Sequence, residues 1–208
     1  GAGAYVIGTG SDMIVQKNLF QGSQKAPVAV VNGGTALVDA NPFVKNEGNI
    51  ASGVRLYQSG AVTVTNNILA QNIANFGATV HVMESSPVKI INNTVTENDG
   101  EGIYFDNAPN IAIVNNIVYN NTGNGLAKNP ADSSAYTIDY NDVYDNKGTG
   151  PDYAGGLSAG AHDMAVDPLF VATGSDVTAY YHLQPGSPVN DNGSPTWAPL
   201  SDIDGQAR

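Results

Sequence analysis

With 208 residues, a net charge of −11 and only eight lysines and arginines, the chain lacks the clustered basic surface that nucleic-acid backbones require. Its residues are 41% hydrophobic, yet no run approaches the length of a bilayer span, so a soluble chain of one or two domains with a sizeable core is expected. Absence of cysteine excludes a disulfide framework and a thiolate metal site without deciding the compartment, and 24 glycines among few charges favour strands and turns over helices.

The chain opens GAGAYVIGTG, without methionine or a targeting signal, as expected of a processed or truncated piece of something longer. Residues 4 to 7, AYVI, align with the second strand of a coil whose other strands are missing, so the register starts in mid-coil. Because a solenoid end is either capped or left as an open edge, further coils or a partner chain are expected there.

From this point an Asn-x-apolar-x-x-Asn motif recurs, as in Asn41-Pro-Phe-Val-Lys-Asn46, Asn67-Ile-Leu-Ala-Gln-Asn72 and Asn93-Thr-Val-Thr-Glu-Asn98. Asn116-Ile-Val-Tyr-Asn-Asn121 and Asn141-Asp-Val-Tyr-Asp-Asn146 continue it, and a weaker copy at Asn18 has Ser23 in the second place. The leading asparagines Asn18, Asn41, Asn67, Asn93, Asn116 and Asn141 lie 23, 26, 26, 23 and 25 residues apart. That period is too short for paired helices and suits one coil of a β-solenoid; leucine-rich repeats share it but lack a match here. Side-chain amides at equivalent places, about 4.8 Å apart along the axis, predict an asparagine ladder with a structural role. A second ladder is expected through Asn72.

The strand before each leading asparagine alternates, placing Met13 and Val15, Ala36 and Val38, Val62 and Val64, Val88 and Ile90, Ile111 and Ile113, and Tyr136 and Ile138 inward. After the asparagine comes another inward position, filled by Phe20, Phe43, Leu69, Val95, Val118 and Val143. A second strand follows a glycine-rich bend: PVAVV (27 to 31), GVRLY (53 to 57), TVHVM (79 to 83), GIYFD (102 to 106) and, fading, GLAKN (125 to 129). Residues 147 to 208 break the period with glycine, proline and aspartate clusters, which predict loops wrapping the end of the solenoid, with Tyr180, Leu183, Trp197 and Leu200 as apolar cover.

These coils resemble the right-handed parallel β-helix superfamily with the pectate-lyase-like fold, over roughly residues 4 to 146. The resemblance implies an all-β chain: a right-handed parallel β-helix (β-solenoid) of about six coils of 23–26 residues over 1–146, continuous with a loop-rich C-terminal cap over 147–208. Three tail stretches, Asp167-Pro-Leu-Phe170, Gly186-Ser-Pro-Val-Asn-Asp-Asn-Gly193 and Asp202-Ile-Asp-Gly-Gln-Ala-Arg208, resemble the closing segment of large secreted or surface-anchored bacterial β-helix repeat proteins. Asn190 stands where that pattern commonly has an aliphatic residue. This second resemblance implies an extracellular or cell-surface product acting on or near polysaccharide. The superfamily hosts lyases, hydrolases, tailspikes and adhesins, so the fold names no reaction.

In a solenoid, outward residues of successive coils line up into a functional face. On the second strand one outward column is expected to read Val6, Ala29, Arg55, His81, Tyr104 and the next Gly8, Val31, Tyr57, Met83, Asp106, with Gln58, Glu84 and Asn107 just beyond. Aromatic rings suit pyranose faces, Arg55 suits a uronate, and His81 or Tyr104 can move a proton. Asp106 and Glu84 could instead form the carboxyl pair of a glycoside hydrolase. Candidate catalytic residues are therefore Arg55, His81, Tyr104, Asp106 and Glu84, with Tyr57, Gln58, Asn107 and Lys128 as substrate contacts. The rival to this polysaccharide binder, lyase or hydrolase is a non-catalytic structural or adhesive stalk. The negative charge favours neutral glycans over polyuronates.

Calcium is a candidate at Asp202 and Asp204 of the DIDG turn, or at Asp142 and Asp145, although solvated turn aspartates fit the spacing too. His162 and His182 have no third ligand at metal spacing. The sequons at Asn92, Asn120 and Asn192 read as products of an Asn-rich composition. Tyr119 and Tyr144 form a candidate secondary sugar platform, or cover neighbouring coils.

Overall fold

The computed structural model of the chain describes residues 3–173 and 176–208, so Gly1 and Ala2 of the expected solenoid segment lie outside the described residues. Each coil lays down three strands, and successive coils pair in parallel to give three sheets. Sheet I comprises Asp12–Gln16, Thr35–Asp39, Val62–Thr65, Val88–Ile91, Ile111–Val114 and Tyr136–Asp139. Sheet II follows each leading asparagine with Phe20–Gln21, Pro42–Val44, Ile68–Ala70, Thr94–Thr96, Ile117–Tyr119 and Asp142–Tyr144. Sheet III runs through Ala4–Ile7, Val28–Val31, Ala51–Tyr57, Ile73–Met83, Asp99–Asp106, Leu126–Lys128 and Tyr153–Ala154, with Glu47–Gly48 paired at its side. Among the described residues no helix is long and apolar enough to cross a membrane; a short helix, Val177–Tyr180, is capped by Asp176.

The corners are tight because each turns on one left-handed residue. Asn66, Asn92 and Asn115 turn sheet I into sheet II, Gln71, Glu97 and Asn120 turn sheet II toward sheet III, and Gln58, Glu84 and Asn107 close the coil, with φ between 48 and 60°. Asparagine tolerates this conformation better than most residues, which explains the Asn-Asn pairs at 66–67, 92–93 and 115–116. The first asparagine bends the chain and the second turns inward as a rung.

Each rung satisfies the corner it occupies. In Asn67, Nδ2 donates to Val38 O (2.9 Å), Thr65 O (2.8 Å) and Asn93 Oδ1 (2.9 Å), while the Asn93 Oδ1 also accepts from Asn67 N. The ladder runs from Asn18 to Asn141 and ends on Asp163 Oδ1, which accepts from Asn141 Nδ2 at 3.1 Å. The second ladder passes through Asn46, Asn72, Asn98, Asn121 and Asn146, takes in the Ser23 N–H at one end, and stops on Asp152 Oδ1 at the other. A carboxylate accepts without donating, so aspartate suits the last rung.

The interior holds the apolar columns that alternation predicts, with Val28, Val30, Phe43, Val54, Leu56, Leu69, Val80, Ile90, Ile103 and Phe105 fully buried. Three expectations change. Val6 pairs with Val30 and is 8% exposed, while Tyr5 pairs with Ala29 and is 56% exposed. The expected outward column of Val6 and Gly8 is therefore one residue out of register, and Tyr5 and Ile7 stand outward instead; with a side-chain period of two, a one-residue slip reverses the faces. Tyr136, at the last coil, remains 39% exposed and sets its edge against Phe105 at 5.7 Å between ring centroids, because no further coil covers it. Leu200 provides no cover and is almost fully exposed.

The C-terminal segment also differs from a simple end cap. Residues 147 to 164 do close the end: Tyr153–Ala154 adds to sheet III, and Met164 bridges to Asp142. The remainder turns back as a strap along the flank of sheet II. Tyr181 is buried on Ile68 and Ala70 and its hydroxyl donates to Glu97 Oε2 at 3.0 Å. Ser194 exchanges hydrogen bonds with Asn115, and Arg208 Nη1 donates to Asn66 Oδ1 at 2.9 Å. The outward faces of Ile68 and Ala70 need cover from water, and the strap supplies it.

Candidate functional site

The outward face of sheet III assembles most of the expected patch. Register places Ala29, Arg55, His81 and Tyr104 in one column and Val31, Tyr57, Met83 and Asp106 in the next. The rings of His81 and Tyr104 stack at 5.1 Å with 25° between planes, and the Arg55 guanidinium lies 5.7 Å from the centroid of Tyr57. Neighbouring coils bring the residues together, although they are 26 and 23 positions apart in the chain.

This stacking governs the electrostatics. His81 is only 8% exposed because Arg55 and Tyr104 flank it. Burial, with the Arg55 charge adding to it, pulls His81 down to about 4, against the opposing pull of Asp106. The imidazole is therefore uncharged at neutral pH and can donate from one nitrogen and accept at the other. Burial also raises Tyr104, and the negative charges of Asp106, Glu101 and Asp132 raise it further, so its hydroxyl remains protonated.

The remaining expected contacts divide. Asp106 accepts from Asn129 Nδ2 at 3.0 Å, and the exposed Glu84 accepts from Gln58 Nε2 at 2.7 Å. Asn107 stands at the rim, its backbone N–H held by Asp132 Oδ2 at 2.8 Å. Lys128 does not join the face. It pairs with Phe105, which points into the solenoid, and its ammonium donates to Asp132 O at 2.6 Å and Asn129 O at 3.3 Å. The fading of GLAKN reflects that end position: a lysine occupies the inward column where its head reaches backbone carbonyls.

Two features escape the sequence reading. Glu101 pairs with Ala78 upstream on the same sheet; burial pushes its carboxyl up, opposed by the hydrogen bond from Asn124 Nδ2 at 2.9 Å. Phe76 is 87% exposed, beside the partly exposed Ile50 and Ile73. These residues belong to corners present in the two 26-residue coils and shortened in the 23-residue coil that follows. The coil spacing itself was the signal for an insertion ahead of the strands that carry Arg55 and His81.

The other candidates have structural partners. Asp202 Oδ1 accepts from the N–H groups of Asp204 and Gln206, and Asp204 Oδ2 meets His182 Nε2 at 2.8 Å. Among the described residues no three His, Asp or Glu side chains gather in metal-binding geometry. Asp145 pairs with Lys147, and His162 stacks on Tyr140 and bonds Asp139. Tyr119 and Tyr144 stack at 6.0 Å, with Phe170 edge-on to Tyr119, so the strap partly covers this platform.

The tail stretches act as fastenings. Asp167 Oδ1 accepts from Leu169 N, Pro168 O accepts from Ser187 Oγ at 2.7 Å, and Phe170 meets both Tyr119 and Tyr181. Asp202 shapes the turn that delivers Arg208 to Asn66.

Comparison with known proteins gives no match among curated proteins and none among solved structures. Residues 2–162 match a family described as the right handed beta helix region. That span carries every coil, the asparagine rungs of both ladders and the patch on sheet III, and the chain belongs to the right-handed β-helix family.

Proposed function

We propose that this protein binds polysaccharide outside the cell, along the outward face of sheet III, and holds the glycan without cleaving it. The observation that supports this most is the register column of Arg55, His81 and Tyr104, with Tyr57 and Asp106 beside it. Coils about 4.8 Å apart repeat a ring and a polar head along a strip, and this combination suits the apolar faces and hydroxyl rims of pyranose rings.

Binding fits better than lyase or hydrolase chemistry. The two expected carboxylates already accept side-chain amide hydrogen bonds, and Arg55 is the only arginine on the face, too little positive charge to neutralise a polyuronate in a chain of net charge −11. Neutral glycans are the favoured class.

Affinity electrophoresis of the whole chain through gels containing neutral or acidic polysaccharides tests the reading. Retardation by a neutral glycan is expected, with loss in Arg55→Ala and Tyr104→Ala. Release of reducing ends or of unsaturated products would replace binding with hydrolysis or lyase cleavage. Unretarded migration in every gel would favour the structural or adhesive stalk.

A further inference from the structure

The strap begins just after Met164, and the last strand of sheet II holds its root. Asp142 forms a parallel bridge with Met164, Val143 N donates to Met164 O at 2.9 Å, and Val166 N donates to Asp142 Oδ1 at 3.0 Å. Val143 is fully buried in the interior, so alternation turns the preceding Asp142 outward, under that root. The strap is thus fastened at its base to a carboxyl group.

That carboxyl is enclosed without being satisfied. Asp142 is 4% exposed, and its Oδ2 is buried with no hydrogen-bond partner among the described residues. An ionised carboxylate so placed forfeits its hydration, whereas the protonated acid forfeits far less. The ionisable groups packed around it supply no counter-charge. Its own strand brings Tyr144, and the paired strand Ile117–Tyr119 brings Tyr119. The end segment brings Asp152 and Tyr153, whose hydroxyl donates to Asp163 instead, and the strap brings Asp167. Farther along the strap, His182 is paired with Asp204, and Arg208 donates to Asn66 and Ser201. Burial lifts Asp142 to about 6, the Val166 bond opposes this, and Asp152 and Asp167 reinforce it.

We propose that Asp142 is a proton-operated latch for the strap: as the protonated acid it lets the root close on sheet II, and its ionisation favours release of the strap from Ile68, Ala70 and Asn115. Release returns the carboxylate to water, so the closed strap holds the proton more tightly than the open one. Closure is therefore fully favoured below about pH 4 and weakens as pH climbs to about 6 and beyond. A carboxyl raised to about 6 shifts the opening equilibrium on the order of fiftyfold between about pH 4 and 7.5. The latch acts on sheet II and does not depend on the glycan face of sheet III.

Hydrogen exchange of the whole chain, resolved by NMR at the Val166 and Ser194 amides, provides the test. These amides bond Asp142 and Asn115 across the contact of strap and solenoid, and each rate divided by its intrinsic value reports the opening. Both should be less protected than the Asn67 and Asn93 ladder amides, which marks an opening short of global unfolding. In the parent the opening should increase at least about tenfold from about pH 4 to 7.5. That increase should vanish in Asp142→Asn, which keeps the acceptor for Val166 N and cannot ionise. It should persist in His182→Gln, which separates the latch from the strap's own pair of His182 and Asp204. Four outcomes would each overturn the proposal: an opening unchanged by pH in the parent, strap amides as protected as the ladder amides, an undiminished increase in Asp142→Asn, or its loss in His182→Gln. The first two use the unaltered chain, so the test is decisive even if a variant does not fold.

Discussion

Replacing Asn93 by alanine is the sharpest probe of what holds the coils together. Its Nδ2 donates to Val64 O, Ile91 O and Asn116 Oδ1, at 2.9, 3.1 and 3.0 Å, and its Oδ1 accepts from Asn67 N and Nδ2 at 3.0 and 2.9 Å. Truncation removes all five bonds from a fully enclosed corner and leaves the Asn67 N–H facing an empty space. At about 1 kcal/mol for each net bond lost, plus about 1–3 kcal/mol for an orphaned buried donor, the cost is on the order of 4–6 kcal/mol after partial relaxation. That is comparable with the whole stability of many domains, about 5–15 kcal/mol. Asn18, at the exposed end, makes one bond to Gln16 O at 2.9 Å and a long contact to Asn41 Oδ1 at 3.5 Å, so Asn18→Ala should cost no more than about 1 kcal/mol. Urea unfolding followed by far-ultraviolet circular dichroism measures both. If the two variants differed by less than about 1 kcal/mol, the ladder would not be the element that secures the corners, and the reasoning would fail.

Asn93→Asp should be worse than alanine at neutral pH, since a carboxylate would face Val64 O, Ile91 O and Asn116 Oδ1; acidification should recover part of the loss, readable in the same unfolding assay. Asp142→Asn should raise stability at pH 7.5 by about 1–3 kcal/mol, the upper end being its rise to about 6 converted at about 1.4 kcal/mol per pH unit. The sign follows from linkage: a carboxyl raised in the folded state binds more protons there, so its contribution to stability falls as pH climbs from about 4 to 6. His81, lowered to about 4, acts oppositely over the same window, because the unfolded chain takes the proton first and stability rises with pH. The Asp142→Asn variant should therefore gain stability with pH between about 4 and 6 more steeply than the parent; an unchanged slope would show that Asp142 does not titrate as described. By proton NMR the His81 ring should titrate with a midpoint near 4, and a midpoint above 6 would mean the stacked column opens in solution. Gly77→Ala should destabilise by about 2 kcal/mol or more, since a methyl group there would collide with Ile50 O and prise the two insertion corners apart; thermal unfolding within error of the parent would refute that close approach.

Much of the fold was legible in the sequence because a solenoid is nearly one-dimensional: each coil meets only its neighbours, so a local pattern repeated at fixed period carries the tertiary contacts too. The five full Asn-x-apolar-x-x-Asn copies located sheets I and II, the ladders and the inward columns. Arg55, His81 and Tyr104 could be aligned for the same reason. Register failed at Tyr5 and Val6, where no leading asparagine precedes the strand to anchor the count. Lys128 was misplaced where the repeat decays, and Glu101 was passed over because the coil before it is three residues longer.

The sequence by itself determined the coil, its corners and its core, since those depend on side chains that alternate along a strand and on amides that recur at the same place in every turn. Only the tertiary structure decided where the non-repeating tail goes. Its fastening points, Glu97 for Tyr181, Asn115 for Ser194 and Asn66 for Arg208, lie 84, 79 and 142 residues away in the chain, and no period connects them. The same return of the tail buries Asp142, whose Oδ2 has no hydrogen-bond partner among the described residues, and encloses a cleft beneath the strap. An aspartate at an outward strand position reads as solvated until a distant segment is laid over it.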